Sequence, residues 1–407
     1  MKKRSILTSI DVGTTKVCTT IADVDGGGNI RVVGVGVTPS VGLHKGLVVN
    51  INEARESVRE SVKKAEQASG YKVESAYVGV TGRHVSSLNN RAVVAITRND
   101  RLVRSDDLRR VLTTARSIKV PVDRRLLHVI PRGYAVDGQS GVKNPIGMHG
   151  FRLDVEAHII TAAVTSVQNL VKCIRGIGID IDDLILEPLA SSEAVLSDDE
   201  KQVGVILADI GGGTTDIAIF REGSIWHTAI LPVAGYQITR DIAIGLGLPF
   251  DVAEEMKKKY GSVTPVYETK AGSGNDTLQT NGHGVSHQDL CDIIRARVEE
   301  ILRLIVLEMP NSEYETLVPD GIVLTGGSAN LAGIETLGRN TLQLPVRVGV
   351  PGNIYGIADA LHDPAYATSV GLLLWGGKYK GRQAWRRQSL GSGLRQLVSR
   401  IANLFHQ

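Results

Sequence analysis

Apolar runs broken by glycine-rich turns organise this chain. Val205 to Ala208 and Ile217 to Phe220, VILA and IAIF, have the branched, apolar character of central strands, and DIGGGTTD stands between them. Consecutive Gly211, Gly212 and Gly213 in such a turn predict a backbone that comes close to another group. The same plan opens the chain. Ile6 to Val24 reads ILTSIDVGTTKVCTTIADV: an apolar strand, Asp11, a turn through Gly13, Thr14 and Thr15, then a second apolar strand. A repeated unit of this kind predicts two related halves facing each other across a cleft. A third run, GIVLTGGSANLAGIETL from Gly321 to Leu337, predicts a strand entering a turn at Gly326, Gly327 and Ser328, with a helix after it.

Between the first two turns, the block from His84 to Val164 reads strand, helix (Ser105 to Ser117), strand (Leu126 to Val136), strand (Leu153 to Ala162). Ser105 is the expected cap, with Asp106 and Asp107 in the first turn. Gly133 to Gly150 reads as a long ordered loop. His84, His128, His149 and His158 match no metal-ligand spacing and read as structural. Further on, AEEMKKKYG (Ala253 to Gly261) puts Glu254 and Lys257 on one helical face, and Ser262 to Ser286 has the composition of a flexible hairpin. At the C-terminus, LRQLVSRIANLFHQ spaces Leu394, Leu397, Val398, Ile401, Leu404 and Phe405 as one apolar stripe, with Arg395 and Arg400 on the other side. Gly376 to Gly393, before it, has the composition of a flexible tether.

Composition narrows the class. With 407 residues, 42% of them hydrophobic, the chain is long enough for two or more domains with proper cores. The net charge of +3 conceals an asymmetry: Lys378, Lys380, Arg382, Arg386, Arg387, Arg395 and Arg400 have no acid after them or among them, so everything before is net negative. Cys18, Cys173 and Cys291 are far apart and fit neither a disulfide framework nor a zinc site, which suits a reducing cytoplasm. No stretch reaches the length of a membrane span, and no nucleic-acid partner is expected.

The turns carry the candidate chemistry. Their amide N–H groups and threonine hydroxyls can converge on one anion, and Asp11, Asp209 and Asp216 at strand ends can hold a divalent cation through water. The turn at Gly326 lets a flat ring lie against backbone, and Glu254 and Lys257 can bracket a ribose and base, although a solvated charged face is the plainer reading of that pair. A GxxxxGK[ST] loop is absent, and neither Gly34-Val35-Gly36 nor Gly176-Ile177-Gly178 has the third glycine of a dinucleotide fingerprint.

Asp-x-Gly-Thr-Thr, Asp-x-Gly-Gly-Gly-Thr-Thr-Asp and Thr-Gly-Gly-Ser-x-x-Leu-x-Gly, in this order, resemble the phosphate 1, phosphate 2 and adenosine motifs of the actin, Hsp70 and sugar-kinase superfamily. Leu126 to Ala162, Glu187 to Phe220 and Tyr314 to Glu335 further resemble the bacterial cell-division FtsA family, with Asn144-Pro145-Ile146-Gly147-Met148 and Arg152-Leu153 as the most specific signature. The resemblance implies an α/β, actin-like two-lobed fold of duplicated ribonuclease-H-like domains, with an inserted 1C (SHS2-type) subdomain and a C-terminal amphipathic helix. In its terms, subdomain 1A comprises 1–83, 165–200 and 354–377, the inserted 1C subdomain 84–164, subdomain 2A 201–230 and 288–353, and subdomain 2B 231–287. A basic linker at 378–393 then leads to a membrane-targeting helix at 394–407.

The resemblance also implies ATP and Mg²⁺ as cofactors. Gly13, Thr14, Thr15, Lys16, Gly211, Gly212, Gly213, Thr214, Thr215, Gly235, Glu254, Lys257, Gly326, Gly327 and Ser328 are the expected nucleotide contacts, and the order of motifs puts Glu187 where a water-positioning residue belongs. At most slow ATPase activity is expected. The implied function is a peripheral protein on the cytoplasmic side of the membrane at the division septum. It would polymerise with itself, bind anionic lipids, hold the FtsZ C-terminal peptide through 2B and recruit later divisome proteins through 1C. A pilus-assembly adaptor or a sugar or metabolite kinase of the same superfamily are the alternatives, and the divergent stretch from Ser262 to Ser286 leaves the FtsZ contact residues open.

Overall fold

The computed structural model describes residues 5–25, 27–264, 277–280, 283–309, 318–357 and 359–379. The apolar stripe from Leu394 to Phe405, with Arg395 and Arg400, and the linker from residue 380 lie outside them.

Two sheets repeat one plan. The six-stranded sheet runs Asp180–Leu186, Ser75–Val80, Ser5–Val12, Lys16–Val24, Ile30–Pro39 and Tyr355–Gly356. The five-stranded sheet runs Val346–Val348, Ile322–Thr325, Val205–Ile210, Thr215–Arg221 and Ser224–Leu231. In each, three antiparallel strands form a meander, and the first strand of that meander pairs in parallel with a strand from later in the chain. Val205–Ile210 is buried along its whole length, which explains the apolar run from Val205 to Ala208 that precedes Asp209. The antiparallel register sets Asp11 opposite Cys18 in one hairpin and Asp209 opposite Asp216 in the other. Helices complete the layers: His287–Leu307 packs its apolar face on the core of the second sheet, while Glu187–Val195 and Ala367–Tyr379 fill the space between the two sheets.

The inserted block is a four-stranded antiparallel sheet, Val85–Ala95, Arg152–Ala163, Arg124–Val136 and Gln139–Val142, backed by the helix Ser105–Arg116. It is tied to the edge of the second lobe. His158, buried, places Nδ1 2.7 Å from Asn89 Oδ1 and Nε2 3.0 Å from Thr228 Oγ1, and Ser87 Oγ donates to the Thr228 carbonyl at 2.9 Å.

Three local readings change, and the hairpin expected in Ser262 to Ser286 is found. Ser105 is already helical; the cap position is Arg104, whose N–H donates to Asp107 Oδ2 at 2.9 Å, so the buried Asp107 carboxylate closes this end. Gly133 to Gly150 is only partly loop, because Asp137 and Gly138 turn one strand into the hairpin strand Gln139–Val142. Gly376 and Gly377 belong to the helix Ala367–Tyr379, not to a tether, because that helix is packed on the first lobe's core. In Ser262 to Ser286, Thr277–Thr280 and His283–Ser286 form an antiparallel pair, and residues 265–276 lie outside the described ones.

Candidate functional site

The two glycine turns meet at the base of a cleft. Gly13 N donates to Lys16 O at 3.0 Å, and Gly211 N donates to Thr214 O at 2.9 Å, so both turns close in the same way. The turns are packed face to face: a Cβ on Gly212 would lie 2.3 Å from Thr15 Cγ2, and one on Gly213 would lie 2.6 Å from Thr14 Oγ1. Larger residues cannot occupy these two positions without opening the cleft. Above the turns lies a cavity of about 460 Å³.

Nearly all the residues singled out from sequence line this cavity: Asp11, Gly13, Thr14, Thr15 and Lys16 from the first lobe, Asp209, Gly211, Gly212, Gly213, Thr214 and Asp216 from the second, with Glu187, Gly235, Glu254, Lys257, Gly326, Gly327 and Ser328. Thr215 does not. It is the first residue of a buried strand, and its hydroxyl donates to Val233 O at 2.7 Å.

Each aspartate is held by hydroxyls. Asp209 Oδ2 accepts from Ser191 Oγ at 2.6 Å and Thr368 Oγ1 at 3.1 Å. Asp11 Oδ2 accepts from Ser369 Oγ at 2.8 Å, and Asp216 accepts from Thr81 Oγ1 and, at 3.0 Å, from Thr214 Oγ1. Lys16 Nζ donates to Ala365 O and sits 4.6 Å from the centre of the Tyr366 ring. Burial raises the proton affinity of the carboxylates here. Asp216 is pushed up to about 7, first by burial and also by Asp209 and Asp11. Glu187 is driven well above the carboxylate range by burial and by Asp11, Asp216 and Asp209, while Asp11 and Asp209 are raised by burial against the pull of Lys16 and their hydroxyl donors. Such a cluster favours a cation. Among the described residues no three His, Cys, Asp or Glu side chains are grouped so as to hold a metal ion directly.

The far wall is firmer than a solvated face. Glu254 Oε2 accepts from Lys257 Nζ at 2.7 Å, and Lys257 Nζ also donates to Thr239 Oγ1 at 2.8 Å and Gly235 O at 3.2 Å. Burial lowers the Lys257 ammonium; it also raises Glu254, but Lys257 and Thr239 outweigh it and bring that carboxylate below its ordinary range. Gly326, at φ 84°, carries the chain so close to the aspartate that a Cβ would lie 2.4 Å from Asp209 Oδ1. A 3₁₀ turn, Gly327–Asn330, separates it from the helix, which begins only at Ile334. The helix N-terminus expected directly behind Ser328 is therefore displaced; Ser328 Oγ instead donates to Gly211 O at 3.1 Å.

Thr81, Ser191, Thr368 and Ser369 went unpredicted. A lone hydroxyl residue on a strand end or helix has no motif; the fold alone aims them at the aspartates.

The family model described as Cell division protein FtsA matches residues 206–371, and the SHS2 domain inserted in FTSA matches residues 82–161. The Cell division protein FtsA of Pseudomonas aeruginosa is 42% identical over 377 residues, spanning 91% of this chain and 89% of the relative. Two solved structures share the architecture at low identity. One is the PilM-PilN type IV pilus biogenesis complex, with TM-score 0.62, 16% identity, and coverage of 91% of this chain and 98% of that one. The other is MreB 5 of Spiroplasma citri bound to AMPPNP, with TM-score 0.56, 14% identity, and coverage of 93% and 97%. The fold is the actin-like, two-lobed α/β fold with an inserted SHS2 subdomain. The chain belongs to the FtsA family of bacterial cell-division proteins.

Proposed function

We propose that this protein binds ATP with Mg²⁺ between its lobes, polymerises on the cytoplasmic face of the membrane at the division septum, and anchors the FtsZ ring there. The observation that carries the nucleotide reading is the pair of interlocked turns, which together line one cavity of about 460 Å³, enough for a nucleotide. Gly13 to Lys16 and Gly211 to Thr214 hold the phosphates, and Lys16 meets their charge. Glu254, Lys257 and the turn at Gly326 take the ribose and base. Asp11, Asp209 and Asp216 fit the cation, because their mutual repulsion and burial are relieved by positive charge. Bound Mg²⁺ supplies charge neutralisation of the phosphates. The AMPPNP held by the MreB 5 structure supports the same use of the fold.

The membrane role rests on the tail sequence. Six apolar side chains from Leu394 to Phe405, with Arg395 and Arg400, form an amphipathic anchor. Each basic residue near an anionic leaflet contributes about 1 kcal/mol, so one anchor binds reversibly while a polymer carrying many binds firmly. The second lobe takes the FtsZ C-terminal peptide, and the inserted sheet recruits later division proteins.

Sedimentation with anionic liposomes tests this reading, using the full chain and a chain ending at Tyr379, each with and without ATP and Mg²⁺. Pelleting of the full chain alone, increased by ATP, is the expected result. Equal recovery of both chains in solution under every condition contradicts membrane anchoring by the tail.

A further inference from the structure

Behind the nucleotide cavity lies a second, much smaller one of about 20 Å³. Its walls include Gly46, Gly79, Thr81, Ser166, His84 and Glu187, so Glu187 and Thr81 face both cavities. Its size is that of one water molecule, and within walls that are otherwise mainly apolar, Val12, Leu47, Val80 and Leu170 among them, its polar side chains are His84, Glu187, Thr81 and Ser166.

The segment Gly79-Val80-Thr81-Gly82 is shaped around two side chains. A Cβ on Gly79 would stand 3.1 Å from Glu187 Oε1, and a Cβ on Gly82, at φ 122°, would stand 3.0 Å from His84 Nδ1. Thr81, between the two glycines, donates its hydroxyl to Asp216. His84 is pinned through its backbone: its carbonyl accepts from Ala163 N and from Arg124 Nη2, both at 3.2 Å. Its imidazole does something else. Both ring nitrogens are buried and neither has a hydrogen-bond partner among the described residues. Burial, and then the Arg124 guanidinium, hold the ring down to about 4, so it is neutral at pH 7, with one nitrogen a donor and the other an acceptor. Buried polar groups of this kind are seldom left unsatisfied.

We propose that a single buried water joins His84 to Glu187 through this small cavity, making His84 the positioning residue that aims the Glu187 carboxyl group at the water attacking the γ-phosphate. The proposal rests on the nucleotide reading above. In the step served, the attacking water's oxygen bonds to the γ-phosphorus as the bridging bond from the γ-phosphorus to the β-phosphate oxygen breaks. ADP leaves with that electron pair, and both protons of the water end on the released phosphate, so ATP⁴⁻ and water give ADP³⁻ and H₂PO₄⁻. Glu187 orients the attacking water; His84 touches neither nucleotide nor that water.

The test is single-turnover ATP hydrolysis by the full chain with Mg²⁺, beside equilibrium binding of AMPPNP. Replacing the ring's polar edge with an apolar one, His84→Phe, should slow hydrolysis by about tenfold or more, with AMPPNP affinity within about twofold of the unaltered chain, a rate effect without a binding effect. His84→Gln, which keeps a donor and an acceptor, should restore most of the rate. A readout that leaves His84 in place is its ring ¹⁵N signal, expected to shift in the Glu187→Gln chain. Hydrolysis unchanged in His84→Phe, an equal loss in His84→Gln, an unmoved ring signal, or AMPPNP-competent unaltered chain that leaves ATP intact would each overturn the role of His84. Failure of the unaltered chain to bind AMPPNP would overturn the nucleotide reading itself.

Discussion

The two glycine turns share a plan yet carry different side chains at corresponding positions, as their strand register shows. Read as text, Gly-Thr-Thr in the first lobe matches Gly213-Thr214-Thr215 in the second. In the structure, Gly13 corresponds to Gly211, since both donate to the carbonyl that closes a four-residue turn. Thr14 and Thr15 therefore occupy the places of Gly212 and Gly213, and the hydroxyls and methyls of one turn fill the space left by the glycines of the other. The polar groups diverge as well. Lys16 corresponds to Thr214, and Cys18, opposite Asp11, corresponds to Asp216, opposite Asp209. One turn brings a cation and a thiol that burial pushes up to about 12; the other brings a second carboxylate. A duplicated hairpin has become an interlocking pair with unequal charge.

That asymmetry predicts unequal responses to matched substitutions. Lys16→Met should weaken Mg·ATP binding by about 100-fold, the loss of a charge-assisted phosphate contact, while Thr214→Val at the corresponding place should cost about tenfold or less. Titration calorimetry on both variants measures the gap, and equal losses would mean that the turns are equivalent. Next in size, Gly212→Ala should destabilise the protein by about 1–3 kcal/mol by driving a methyl group into Thr15. Thr15→Ala in the same chain should recover part of that, giving a favourable coupling in a denaturation double-mutant cycle.

A smaller effect separates the turns by pH. In metal-free protein the folded-state pKa of Asp216 lies near 7 against a usual 3.8, so between those values the folded chain binds more protons than the unfolded one. The contribution of this group to stability is therefore lost as pH rises from about 4 to about 7. Asp216→Asn should flatten that part of the melting-temperature profile, whereas Cys18→Ser should leave its slope unchanged. Smallest are the hydroxyl donors: Thr368→Ala, serving Asp209, and Ser369→Ala, serving Asp11, should each cost about 1 kcal/mol in chemical denaturation.

Much of this was legible in the chain itself. The apolar run from Val205 to Ala208 and the glycines after Ile210 announce a buried strand and a close approach, and the earlier copy announces the duplication. The register of the two turns was legible at their shared Asp-x-Gly, 198 residues apart, but the places of the threonines within it were not, because the repeated Thr-Thr pair suggests an equivalence that strand pairing rules out. Thr215 was misplaced for that reason. Asp107 hid among the acids of a first helical turn, where its burial and its bond to Arg104 N could not be told from the half-buried position of Asp106. Thr81, Ser191, Thr368 and Ser369 reach the aspartates from elements far apart in sequence, and their convergence is a property of the assembled lobes.

The central claim is that the interlocked turns form one Mg·ATP site. Calorimetric titration of ATP into the full chain, with Mg²⁺ and again with EDTA, tests it most directly when repeated on Lys16→Met. Saturable one-to-one binding that weakens sharply without Mg²⁺ and in the Lys16→Met chain is the predicted result. Absence of binding, or binding indifferent to both the ion and Lys16, would contradict it.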